Sequence, residues 1–146
     1  MRLDLYQAET ARIAAEQAAL LTLARELMAQ RSLSLLEQGG VLHALQVLIE
    51  NAIGKAKQLL KAHNEPVPVS AYDTFSALAR CGEIDMVTLP AWNAVIGLRN
   101  RIVHDYMNID MTKVMQLVAS RDDGFITDFL LKAVVPPPGQ PEQNKK

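Results

Sequence analysis

Between Ser34 and Lys61 the apolar residues Leu42, Leu45, Ile49, Ala52, Ala56 and Leu59 follow one another at steps of three or four. That spacing lays them along one stripe of an α-helix; a strand, whose side chains alternate with a period of two, cannot use it. A long helix with one apolar stripe must bury it against other elements, so this segment demands a surrounding layer of partners. The same period recurs upstream. Ile13, Ala14, Leu20, Leu21, Leu27 and Met28 mark a first helix from about residue 5 to 31, built largely of Ala, Leu, Glu and Arg.

Start and stop signals divide the rest. Ser34 with Glu37 three residues on reads as a capping box opening the second helix, although Gly39 and Gly40 weaken its first turns and allow a later start. Asn64-Glu65-Pro66-Val67-Pro68 is a loop. Ser70 and Asp73 repeat the capping pattern and begin a short third helix that stops at Cys81-Gly82. Thr88 and Pro90 open a fourth, running from Ala91 to His104. A fifth spans about Asp110 to Ala133, with an interruption expected near Asp123-Gly124. Pro136-Pro137-Pro138-Gly139 forbids further helix. The expected architecture is therefore all-α, an antiparallel bundle of about five helices over residues 1–135, with 136–146 a Pro-rich polar tail expected to be disordered.

Composition narrows the function. The chain of 146 residues is long enough for a real core without staples. Fifteen Lys and Arg against 16 Asp and Glu give a net charge of -1, so any RNA contact must be a local patch rather than a general affinity for phosphate. Cys81 is the only cysteine, which excludes an intramolecular disulfide and a multi-Cys zinc site; it reads as a small apolar residue beside a helix end. With no Gly-rich phosphate loop and no zinc spacing, neither cofactor nor metal is expected. Glu9, Arg12 and Glu16 interrupt any leader-like apolar region, and no apolar run approaches the ~20 residues of a membrane span, so the cytoplasm is the expected compartment. Lys55, Lys57 and Lys61 crowd the end of the second helix, where they suit its dipole better than an RNA patch.

The informative stretch is Arg99-Asn100-Arg101-Ile102-Val103-His104-Asp105-Tyr106. On a helix Asn100 and His104 share a face, and Arg99 and Tyr106, nearly two turns apart, line up on an adjacent one. Ile96, Leu98, Ile102 and Val103 are the expected anchors in the core. Two readings of the polar set stay open at this point. Arg99 pairs with a carboxylate, His104 caps a helix end near Asp105 and Tyr106 is half-buried; or the cluster carries chemistry.

The string fits the R-x(4–6)-H pattern of HEPN domains and resembles the R-N-x-x-x-H-x-Y form of the HepT-like toxins. The segments VLHALQVLIENAIGKAKQLL, with Glu50 at its middle, SAYDTFSALARCGEID and LRNRIVHDYMNID extend the resemblance over roughly residues 5 to 133. What it implies is metal-independent RNA cleavage by a homodimer whose two motifs face each other, a composite site. On that reading His104 is the acid or base, because imidazole exchanges protons near neutral pH. Arg99 binds the scissile phosphate through its planar fork. Asn100 orients His104 or bonds the phosphate.

The resemblance also implies a partner, an MntA-like nucleotidyltransferase antitoxin that silences the toxin by AMPylation of Tyr106; the added phosphates would plug the site. Glu50 and Asp73 are supporting candidates for the cleft. Their plainer roles are a solvated or Lys55- or Lys57-paired carboxylate and a helix-capping residue. His43 and His63 match no motif, and His63 is expected to be exposed. Trp92 belongs to the core or a dimer interface. The alternative function is a non-catalytic HEPN-type nucleotide-binding or scaffolding partner of a nucleotidyltransferase.

Overall fold

The computed structural model describes residues 3–134; the Pro-rich segment 136–146 lies outside the described residues. Six α-helices and two short 3-10 turns are found among them, and no strand: α1 (Leu3–Met28), α2 (Leu35–Ala62), α3 (Ala71–Arg80), α4 (Leu89–His104), α5 (Met111–Ala119) and α6 (Gly124–Leu131), with the turns at Met86–Thr88 and Tyr106–Asn108. No helix of the described residues is long and apolar enough to cross a membrane.

The apolar stripe of α2 sits at the centre. This helix packs against α1, α3, α4 and α6, and Leu42, Leu45, Leu48, Ile49, Ala52 and Ala56 are fully buried along it. Its start is where the capping box put it. Ser34 Oγ accepts from Glu37 N at 3.1 Å while Glu37 returns to Ser34 N at 2.8 Å, so the two glycines do not delay the helix. They lie inside it, each about 0.5–1 kcal/mol less favourable than alanine. Ser70 likewise accepts from Asp73 N at 3.3 Å, but the Asp73 carboxylate makes no return bond.

The aromatic side chains close the other end of the core. Trp92 stacks on Phe75 at 4.4 Å and meets Phe125 and Phe129 edge-on at 4.8 and 5.2 Å, which places Trp92 in the core of the chain. Helix ends repeat one device. Asn64, Gly82 and Arg121 take left-handed backbone (φ 59°, 80° and 64°), and the residue after each donates its N–H to a carbonyl five residues back. At Arg121 this device divides the expected fifth helix into α5 and α6.

Two sequence expectations are corrected here. Lys55 does not serve its own helix end in solvent. It is 2% exposed, and its Nζ donates to the carbonyls of Phe129, Leu130 and Lys132 at 2.7, 3.3 and 2.6 Å, closing the C-terminal end of α6. Helix periodicity favours this. Lys55 falls within the buried face of α2, and the last carbonyls of α6 lack intrahelical partners and attract a cation. His63 is not exposed either; it is half-buried, with Nε2 2.6 Å from Glu83 Oε2.

Candidate active site

Helix α4 carries the polar motif. It enters through Pro90 in its first turn, which lacks the N–H that the first turn would leave unpaired, and buries Trp92, Val95, Ile96 and Leu98. Ile102 is only partly buried and Val103 is 44% exposed, so the anchoring face ends a turn earlier than the sequence suggested. His104 is the last helical residue. At Asp105 the backbone leaves the helix (φ −151°, ψ 49°), its N–H closing on Arg101 O at 2.7 Å. Asn108 Nδ2 then donates to Asp105 Oδ1 at 2.7 Å and holds the 3-10 turn of Tyr106–Asn108. The helical alignment expected for Arg99 and Tyr106 is therefore broken: Tyr106 stands on a separate turn, 53% exposed.

Arg99 is the best-held side chain of the group. Its Nε donates to Glu50 Oε2 of α2 at 3.3 Å and its Nη1 to Asn100 Oδ1 at 3.0 Å. Glu50 thus meets α4 rather than Lys55 or Lys57, and Gln46 Nε2 donates to the same carboxylate oxygen at 3.2 Å. The second terminal nitrogen of Arg99 makes no hydrogen bond among the described residues, while two bonds fix the plane of the fork. Asn100, spent on Arg99, does not bond His104. His104 is exposed and has no side-chain partner among the described residues. Asp73 is exposed on α3, and no hydrogen bond or ion pair joins it to Arg99, Asn100 or His104.

One cation went unassigned in the sequence. Arg101 is exposed, three residues before His104 and therefore its neighbour on the helix surface. The spacing that paired Asn100 with His104 applies equally to Arg101. At 100° and 1.5 Å per residue, Arg99 and His104 are roughly 140° and 7.5 Å apart on α4, so one helix cannot turn both to one phosphorus from the same side.

The chain is thus a small helical-bundle protein whose candidate site residues, Arg99 and His104, lie on the last turns of α4. Residues 14–126 match the family described as Ribonuclease HepT-like, and the chain belongs to that family. Two solved structures share the fold. One is the tri-AMPylated Shewanella oneidensis HEPN toxin in complex with MNT antitoxin, 21% identical with a TM-score of 0.75, covering 86% of this chain and 96% of that one. The other, a toxin–antitoxin with AMP-PNP, is 20% identical with a TM-score of 0.72, covering 86% and 97%. No curated protein matches the chain.

Proposed function

We propose that the protein is a metal-independent endoribonuclease, the toxin of a cytoplasmic toxin–antitoxin pair, active as a homodimer and silenced by an MntA-like nucleotidyltransferase antitoxin. The observation that carries this reading is the contrast between Arg99, held by Glu50 and Asn100, and His104, exposed and unpartnered at the end of the same helix. A pre-set guanidinium and an uncommitted imidazole are the two groups that attack of a 2′-hydroxyl on phosphorus asks for.

In that reaction His104 takes the 2′-hydroxyl proton and the 2′-oxygen forms its bond to phosphorus. The P–O5′ bond breaks as the leaving oxygen takes a proton from the protonated His104 of the second copy. Arg99 binds the non-bridging oxygens, on which charge builds. The angular separation of Arg99 and His104 supports a site completed by a second copy, since two-fold pairing brings each residue in twice. Asn100 and Glu50 act through Arg99 as positioning residues. Asp73 has the weaker case, and its place would be the rim of the paired cleft.

Silencing follows from Tyr106. Its phenolic oxygen attacks the α-phosphorus of ATP, the Oη–P bond forms, pyrophosphate leaves and the phenolic proton is released. The adenylyl group adds negative charge beside the cations of α4.

The test is cleavage of bulk tRNA and mRNA by the purified protein with EDTA present, beside His104→Ala. Cleavage by the wild type alone, with the variant down by about 10²–10⁴ as general acid–base loss implies, is the expected result. An active His104→Ala would remove His104 from the chemistry, whereas no cleavage by either protein, from a wild type whose intact mass shows no adduct, points instead to a scaffolding or nucleotide-binding partner of the nucleotidyltransferase.

A further inference from the structure

Tyr106 forms one wall of a groove that the cleavage chemistry does not use. Tyr106, Met107 and Ile109 face Leu35 and Gly39 of α2 across a pocket of about 290 Å³. Gln38 and Met111 line this pocket and also a second one of about 440 Å³, which continues between α5 and the α1–α2 connection. Together the two form one path leading away from the Tyr106 ring, and their volumes lie near the lower part of the ~300–1,000 Å³ range of small-molecule sites.

The lining suits a flat, neutral, hydrogen-bonding ring. Of the six methionines in the chain, Met28, Met107, Met111 and Met115 line the path. Thioether side chains adapt to aromatic faces and add sulfur–ring contacts. Thr112 and Gln116 on α5 are exposed at the rim, with no side-chain hydrogen bond among the described residues. Arg31, the cation of the path, is already bound through both terminal nitrogens to Glu37 at 2.8 Å, so the interior does not call for a phosphate. Gly39 opens the wall near Tyr106. A Cβ there would meet nothing within 4 Å, so the fold itself does not require glycine at this helix-interior position.

We propose that this groove is a nucleoside site, which receives the adenosine of the AMP carried by Tyr106 while the phosphodiester stays at the mouth. The inference rests on the reading of Tyr106 as the modified residue. It adds that the silencing group is docked on the toxin, not merely tethered to it.

The test uses the full chain modified by its co-expressed nucleotidyltransferase, with peptide mass mapping of Tyr106. In methionine-methyl NMR spectra of modified and unmodified protein, ring currents from the docked base shift Met111 and Met115, while Met86, on the other 3-10 turn, stays put. Gly39→Leu and Thr112→Trp fill the groove from opposite walls at positions that the fold leaves open. Each is expected to abolish those shifts and to speed release of AMP by an added phosphodiesterase by about tenfold, equivalent to 1.4 kcal/mol of lost docking. A wild type without adduct on Tyr106 overturns both the silencing reading and the groove. An adduct that leaves the methionine methyls unmoved and is released at equal rates from all three proteins overturns the groove alone. So does a shift of Met111 and Met115 caused only by a non-cleavable RNA on the unmodified chain, which would make the groove a substrate-base site.

Discussion

Glu50 on α2 holds Arg99 on α4 through a 3.3 Å contact to Nε, across 49 residues of sequence. The carboxylate is positioned by the apolar stripe that buries Ile49 beside it, and the guanidinium by the stripe that buries Leu98. Packing of the two helices thus sets the plane of the Arg99 guanidinium, the fork proposed to bind phosphate.

That relationship predicts a graded series. Glu50→Gln keeps an acceptor for Nε, whereas Glu50→Ala removes it, so cleavage should fall in that order, by about tenfold for alanine if 1.4 kcal/mol of positioning is lost. Arg99→Lys, which lacks the planar fork, should be worse than either. Thermal stability should change by under about 1 kcal/mol in the Glu50 variants, because the pair is partly exposed. Full activity in Glu50→Ala would remove Glu50 from the site.

Tyr106 separates silencing from catalysis. Because it stands on its own turn with its ring half-exposed, Tyr106→Phe should cleave RNA at the wild-type rate yet remain toxic when the nucleotidyltransferase is co-expressed. Growth of cells carrying both genes reads this directly. Rescue of growth in the phenylalanine variant would show that the partner silences the toxin elsewhere.

Much of this was legible in the sequence. Period and caps placed α2 and α3 because Ser34, Glu37, Ser70 and Gly82 act through local bonds. Helix spacing brought Asn100 and His104 to one face but left two readings of the polar set open; the resemblance to HEPN domains is what marked Arg99, His104 and Tyr106 as a candidate site. Three features were not. The end of α4 at His104 was read from the sequence, but the turn that follows Asp105 has no Gly or Pro to announce it, so Tyr106 left the helical register unseen. The break between α5 and α6 was expected near Asp123-Gly124, but its cause was not: Arg121 adopts left-handed backbone (φ 64°) with no turn-forming chemistry of its own. Glu50 could be weighed as a candidate, but its partner depended on how α2 meets α4. Lys55 shows the same limit: a lysine on a helix does not reveal which neighbour's carbonyls will end beside it.

Arg101 is expected to contribute charge without chemistry. Arg101→Ala should raise KM for single-stranded RNA while leaving kcat unchanged. It should also flatten the log–log dependence of affinity on salt by about 0.7, the contribution of one phosphate contact. Loss of kcat instead would bring Arg101 into contact with the reacting phosphate.

Lys55 sets a prediction for stability and pH. Lys55→Met fills the same space yet leaves the carbonyls of Phe129, Leu130 and Lys132 without their donor, so unfolding by urea should become easier by about 2–4 kcal/mol at neutral pH. Burial, reinforced by the nearby Lys132 charge, lowers the Lys55 amine from 10.5 to about 8. In the unfolded chain the amine keeps its proton up to the higher value. Between these two values the unfolded state binds more protons, so the stability that Lys55 contributes rises with pH across that window and is flat below it. The gap between wild type and Lys55→Met should therefore be constant up to about pH 8 and wider at about pH 9.5, where a neutral amine still donates to two carbonyls without the penalty of a buried charge. A gap that narrows over the same range would mean that the end of α6 holds Lys55 in its charged form more strongly than burial opposes it.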